Sequence, residues 1–200
     1  FTWSPDSSRL VFCADVDPDS MTEGDHSPTV PRVRVVSRIR YRYDTLGWRG
    51  NIHTHLFLIG AQDGEACQLT EGDWDDLTPV WSSDGSSISF LSDRRDDRDQ
   101  RALTEVYVIP VTGGAAQYWS EGLSGVGAMA WSPDGQRMAV VGSDGSDGMV
   151  LWQGWLYVLE PGKPPLRLTD DSLKPTVGFP AINRPPDLRW TQDDRIIFLG

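Results

Sequence analysis

Trp131-Ser132-Pro133-Asp134-Gly135 is the stretch on which the reading of this chain turns, because the chain repeats it. Its counterparts are Trp3-Ser4-Pro5-Asp6-Ser7, Trp81-Ser82-Ser83-Asp84-Gly85 and Trp190-Thr191-Gln192-Asp193-Asp194. An apolar run follows each copy: Leu10-Val11-Phe12, Ile88-Ser89-Phe90-Leu91, Met138-Ala139-Val140-Val141 and Ile196-Ile197-Phe198-Leu199. The Asp-Gly pair favours a tight turn, because Gly tolerates positive φ and Asp hydrogen-bonds its own backbone. Each copy therefore reads as a β-hairpin anchored by a bulky, amphipathic Trp that suits the layer between packed sheets.

A second hairpin follows each of the first three. Its opening strand reads His55-Leu56-Phe57-Leu58-Ile59, Glu105-Val106-Tyr107-Val108-Ile109 and Trp155-Leu156-Tyr157-Val158-Leu159. A glycine-bearing turn comes next, at Gln62-Asp63-Gly64, Thr112-Gly113-Gly114 and Glu160-Pro161-Gly162. The closing strand is Cys67-Gln68-Leu69-Thr70, Ala116-Gln117-Tyr118-Trp119 or Leu166-Arg167-Leu168-Thr169. Four antiparallel strands per repeat is the blade of a β-propeller. No sustained 3.6-residue apolar period predicts a helix.

The expected organisation is one all-β partial propeller spanning 1–200, with about three complete four-stranded blades and the first hairpin of another. The blades run over 1–75, 76–125 and 126–175, and the next begins at 185–200. The four tryptophans are 78, 50 and 59 residues apart, whereas a blade needs roughly 40–45. The surplus falls in an insert at 15–54, in the charged loop Asp93-Arg94-Arg95-Asp96-Asp97-Arg98-Asp99, and in the proline-broken stretch Pro175 to Pro186. Propellers close with roughly four to eight blades, so the reading is a segment of a larger ring. The alternative is a short repeat protein that completes its ring as a homo-oligomer.

Net charge is −11. That balance argues against nucleic acid and against anionic membrane surfaces, both of which call for a basic face. No apolar run is long enough for a spanning helix. Cys13 and Cys67 lie in apolar strand contexts and read as buried free thiols.

Catalytic and metal motifs are weak. Gly122-Leu123-Ser124-Gly125-Val126 approaches a nucleophile elbow but misplaces its last glycine and falls in a blade-to-blade connection. His53 and His55 share a strand face, yet two histidines alone make a poor metal site, and they read as a sheet-surface pair. His26 falls in a polar loop. The acidic stretches Asp73-Trp74-Asp75-Asp76 and Ser143-Asp144-Gly145-Ser146-Asp147-Gly148 do not fit a calcium loop and read as solvated turns. We identify no catalytic residue, no metal ligand and no cofactor site in the sequence.

One pattern rises above this background. From Val33 to Tyr43 the chain alternates, with Val33, Val35, Ile39, Tyr41 and Tyr43 on one side and Arg34, Arg38, Arg40 and Arg42 on the other. The plain reading is an exposed strand whose arginines pair with nearby aspartates. The sharper reading makes Arg38, Arg40 and Arg42 a positive rail that meets carboxylates of a peptide or of a partner domain.

These residues carry a resemblance. The Trp-Ser-Pro-Asp-Gly phrase is similar to the blade signature of Tol-type propellers. Arg38-Ile39-Arg40-Tyr41-Arg42-Tyr43-Asp44 with Gly47 and His55-Leu56-Phe57, and Leu168-Thr169-Asp170-Asp171 leading to Leu188-Arg189-Trp190, resemble the propeller of acylaminoacyl-peptidase-like enzymes in the prolyl oligopeptidase family. The resemblance implies a seven- or eight-bladed propeller, of which this chain is a part, that caps an α/β-hydrolase domain bearing a Ser-Asp-His triad, admits short peptide substrates and works in the cytoplasm. It implies no catalytic residue within these 200 residues. The competing class is a non-enzymatic, periplasmic Tol-type propeller that binds protein partners. Ser7 and Asp194 depart from the pattern by standing where the turn glycine is expected.

Overall fold

The computed structural model describes residues 1–18, 35–44, 46–62, 64–100, 103–145, 154–175 and 188–199. Every regular element among them is a strand. The first sheet orders β1 (Thr2–Trp3), β2 (Arg9–Val16), β5 (His53–Gly60) and β6 (Ala66–Gln68) side by side, all antiparallel. Between β2 and β5 in sequence, β3 (Arg42–Tyr43) and β4 (Gly47–Trp48) form a separate two-stranded hairpin. The second sheet holds β7 (Asp76–Trp81), β8 (Ser87–Ser92), β9 (Glu105–Pro110) and β10 (Gln117–Tyr118). The third holds β11 (Gly125–Trp131), β12 (Met138–Ser143), β13 (Trp155–Leu159) and β14 (Leu166–Arg167). A hairpin of β15 (Leu188–Trp190) and β16 (Ile196–Phe198) follows. These are propeller blades, three of four strands and one hairpin.

The four Trp phrases fold alike. Ser4 Oγ accepts from the Arg9 amide at 2.9 Å and donates to Asp6 Oδ1 at 2.6 Å, and Asp6 Oδ1 accepts the Ser8 amide at 3.0 Å. Ser82 with Asp84 and Ser132 with Asp134 repeat the arrangement, and Thr191 repeats the hydroxyl part of it, donating to Asp193 and accepting the Arg195 amide. The position after the Asp is left-handed in every copy: Ser7 at φ 59°, Gly85 at 71°, Gly135 at 68° and Asp194 at 59°. The two non-glycine copies thus adopt the glycine conformation at the expense of local strain.

Sheets stack face to face, and the pleat sends alternate residues into different layers. Ile88 and Phe90 of β8 join Val11, Leu56, Trp81 and Ile109 between the first two sheets. Leu91 of the same strand joins Val106, Met129, Trp131, Met138, Val140 and Tyr157 between the second and third. Ala128, Ala130, Ala139 and Val141 pack on Leu188, with Trp190 and Phe198 beside them. Burying a side chain such as Phe90 contributes about 1.5–3 kcal/mol. The anchoring tryptophans also bond across sheets, Trp81 Nε1 to the Thr2 carbonyl at 3.2 Å and Trp131 Nε1 to Ser89 Oγ at 3.0 Å.

Antiparallel order puts the two hairpin turns of each blade at one end and the long connections at the other. Ser83 Oγ bonds the Ser132 carbonyl at 2.6 Å, turn against turn. At the opposite end Thr104 and Val126 exchange bonds, the Val126 amide lying 2.8 Å from the Thr104 carbonyl. The insert, the charged loop and the blade-to-blade connections therefore share one face of the molecule.

Two expectations need correction. Residues 35–41 form no strand; only Arg42–Tyr43 does, and it pairs with Gly47–Trp48. The reason is that β2 and β5 pair with each other along their whole length, from Arg9 with Gly60 to Val16 with His53. The stretch between them is thereby kept out of the interior of that sheet and pairs only within its own small hairpin. Cys67 is exposed on outer strand β6, not buried. Arg34 and His26, with the rest of 19–34 and residue 45 of the insert, and residues 176–186 of the proline-broken stretch lie outside the described residues.

Candidate functional site

The end carrying the long connections is chemically dense where the first and second blades meet. Its deepest member is Asp76, the first residue of β7, fully buried. His55 Nδ1 lies 3.2 Å from Asp76 Oδ2, and Arg94 Nη2 donates to Oδ1 at 2.9 Å. The Arg94 guanidinium is itself covered by aromatic faces, 4.5 Å from the Tyr107 ring centre and 4.8 Å from that of Trp74. A buried charge persists only when paired and bonded in this way.

Trp74 reaches this position because Gly72 lets it. Gly72 is left-handed at φ 132°, and a Cβ there would stand 2.3 Å from the Trp74 ring. A side chain at 72 would collide with the indole and adopt a backbone conformation that only glycine takes readily.

Around Asp76 a shell of ion pairs ties the first-blade insert to its neighbours. Arg38 pairs with Asp73, bonds Asp99 through Nε at 3.2 Å and lies 3.1 Å from His53 Nε2. His53 Nε2 is 3.0 Å from Asp73 Oδ1. Arg98, from the charged loop, pairs with Asp73 as well and donates to its backbone carbonyl at 3.0 Å. Buried Arg49 forks onto Asp15 of β2 and donates to Thr54 Oγ1 at 3.1 Å. Asp75 Oδ1 accepts the Thr54 amide at 2.8 Å. Asp73 thus joins three segments: the insert, the first-to-second-blade connection and the second-blade loop.

Burial works against the charges of Asp73, Asp75 and Asp76, and the bonds from arginine and histidine outweigh it, so all three carboxyls titrate below the ordinary aspartate range. Bonding to Arg49 lowers Asp15 in the same sense. Glu105, on β9, goes the other way because burial dominates.

These segments enclose a cleft of about 460 Å³. Arg38, Arg49, Arg98, His53, Asp73, Asp75 and Asp99 form its polar wall, and Tyr43, Leu46, Ile52, Trp74, Leu77 and Leu103 its apolar wall. Its volume is that of a small-molecule or side-chain pocket. Two buried nitrogens border it without a hydrogen-bond partner among the described residues: Trp74 Nε1, and His53 Nδ1, which stands 3.6 Å from Asp75 Oδ1.

The three arginines singled out by the sequence have different fates. Arg38 is engaged on all sides and braces the insert. Arg40 lines the cleft and makes no bond to a carboxylate among the described residues. Arg42 stands exposed on β3. Arg38 and Arg40 thus share the wall of one cleft, which Arg42 does not line. Sequence reasoning noticed the His53/His55 pair and the Asp73–Asp76 stretch but did not connect them. His55 is buried on Asp76 rather than at the sheet surface, and the acidic stretch is paired with arginine and histidine side chains. Among the described residues no group of His, Cys, Asp and Glu is arranged to hold a metal ion.

No family model matches the chain. Two curated proteins are similar to it: the uncharacterized peptidase YuxL of Bacillus subtilis, 28% identical over 127 residues, and dipeptidyl-peptidase 5 of Porphyromonas gingivalis, 25% identical over 158 residues. The matches cover 63% and 70% of this chain but span only 18% and 22% of those proteins. Solved structures share the fold. A TolB protein of Agrobacterium tumefaciens superposes with a TM-score of 0.58 at 16% identity, over 99% of this chain and 57% of that one. Acylaminoacyl peptidase of Pyrococcus horikoshii gives 0.55 at 15% identity, over 98% of this chain and 27% of that one. The resemblance to peptidase propellers drawn from the Arg38–Asp44 and Trp phrases is thus matched by relatives that are themselves named peptidases.

Proposed function

We propose that this chain is a non-catalytic propeller that controls the access of short peptides to a serine peptidase of the acylaminoacyl-peptidase and oligopeptidase type. The observation that carries the reading is the similarity of the chain to two proteins named as peptidases, across most of its own length and a small part of theirs. The geometry supports it. The long connections of the blades lie on one face, and the insert is clamped there by the ion pairs of half-buried Arg38 and buried Arg49 rather than left as a loose loop. Such a face suits docking against a catalytic α/β-hydrolase domain. A channel behind it rejects folded proteins by size, and closure of the two domains excludes water from the reacting centre.

The test uses the full-length protein that contains this chain. We expect a fluorophosphonate probe to label one serine outside these 200 residues, and we expect short peptides to be cleaved while folded proteins are spared. An intact, folded parent with no labelled serine would overturn the reading in favour of a partner-binding Tol-type propeller.

A further inference from the structure

We infer that the cleft between the first two blades is a subsite for the carboxylate end of a peptide, with Arg40 as the group that receives the carboxylate. The inference rests on the peptidase reading for the word peptide and on the cleft alone for the chemistry.

The argument is one of unmet charge. Every other guanidinium lining the cleft is committed: Arg38 to Asp73 and Asp99, Arg49 to Asp15, and Arg98 to Asp73. The lining carboxylates are committed in return. Asp75 takes the Thr54 amide, Asp93 is forked by Arg95, and Asp73 and Asp99 hold the pairs just named. Arg40 alone among the described lining residues keeps its five donors free of a carboxylate while sitting half-buried in the wall. A half-desolvated guanidinium invites a forked carboxylate, for which its planar geometry is suited.

The rest of the wall says what the carboxylate is attached to. Tyr43, Leu46, Ile52, Trp74, Leu77 and Leu103 supply an apolar surface next to Arg40. Leu46 and Leu77 remain substantially exposed, at 63% and 40% of their surface, so apolar area is still to be covered. A volume of about 460 Å³ holds one large side chain and its terminal carboxylate with room for neighbouring backbone. The net charge of −11 repels anions at long range. Screening confines that repulsion to about 8–10 Å at physiological salt, so local pairing decides.

The experiment measures binding, independently of turnover. A fluorescein-labelled tripeptide ending in phenylalanine, as the free acid and as the carboxy-terminal amide, is titrated against the full-length protein by anisotropy. We expect the acid to bind about tenfold more tightly than the amide, the usual size of a charge-assisted pair. Arg40→Gln should abolish that difference by weakening the acid alone, and Arg40→Lys should restore part of it. Equal binding of acid and amide by the wild type, or an equal loss of both in Arg40→Gln, would overturn the subsite even in an active peptidase. A preference for the acid that vanishes in Arg40→Gln, in a parent with no labelled serine, would uphold the subsite and remove the peptidase reading.

Discussion

The junction between the first and second blades and the junction between the second and third are built from different materials. The second joins Leu91, Met129, Trp131, Met138 and Val140 in a layer that is apolar nearly throughout, with Trp119 and Trp131 edge to face at 5.1 Å. The first has an apolar layer of its own around Phe90 and Ile88, but its connection end is closed by Asp76, His55 and Arg94 and ringed by pairs to Asp73, Asp75 and Asp15. Apolar packing is strong and tolerant of sliding, whereas bonded charges are weak contributors to stability that specify one geometry. The difference therefore separates two tasks. The second junction holds blades together, and the first also fixes where the insert stands.

Breaking the apolar junction should have the largest effect. Trp131→Ala removes a buried side chain and its bond to Ser89 and should cost about 4 kcal/mol of stability. Urea unfolding measures it. Asp76→Ala should cost about 3 kcal/mol, mostly by leaving Arg94 and His55 without their acceptor in a buried site. Double substitution with His55→Leu and Arg94→Met should recover much of that loss, because the stranded groups are then gone. If Trp131→Ala proved mild and Asp76→Ala also harmless, the contrast between the junctions would be wrong.

The two junctions were also unequally legible in the sequence. The apolar one follows from local pattern: a Trp phrase, a turn, a run such as Met138-Ala139-Val140-Val141, and the period of two that sends alternate residues into neighbouring layers. The polar one is made of residues that the sequence displays separately. His53 and His55 lie on β5, and Asp73, Asp75 and Asp76 come after β6 has turned back, so their meeting depends on how a connection crosses from one blade to the next. The arginine stretch misled for a related reason. Alternation specifies a strand only where the stretch finds a partner, and the full pairing of β2 with β5 keeps the residues between them out of that sheet. Arg38 then serves as a brace, a role that spacing could not reveal.

Acid should sharpen the comparison. The folded-state pKa values of Asp15, Asp73, Asp75 and Asp76 lie below the ordinary value of 3.8. Their stabilisation is therefore fully present above that pH and is lost as the pH falls toward the lowered values. Glu105 is raised from 4.5, which opposes folding as the pH rises past that value, but it is one group against four. Hydrogen exchange should show the Thr54 amide, bonded to the Asp75 carboxylate, losing protection as the pH falls below 3.8, after correction for its intrinsic rate. The Val126 amide, bonded to the Thr104 carbonyl, should keep its protection. Equal loss at both would mean that acid unfolds the whole molecule at once.

The smallest effect concerns the turns that both junctions share. Ser7 occupies a left-handed conformation at φ 59°, which Gly85 and Gly135 occupy without a Cβ. Ser7→Gly relieves the strain of about 1–2 kcal/mol attached to that conformation. Glycine also gains entropy in the unfolded chain, which returns about 0.5–1 kcal/mol of it. The net should be a gain of about 0.5 kcal/mol, seen as a small rise in thermal midpoint with no change at Thr54 or Val126. Asp194→Gly faces a second loss, because Asp194 accepts bonds from Trp190 Nε1 at 2.8 Å and Arg137 at 3.1 Å. That replacement should be neutral or destabilising. The two substitutions are chemically similar, so opposite signs would show that the Asp at 194 is retained for its bonds to Trp190 and to Arg137 of the preceding blade and the Ser at 7 is not.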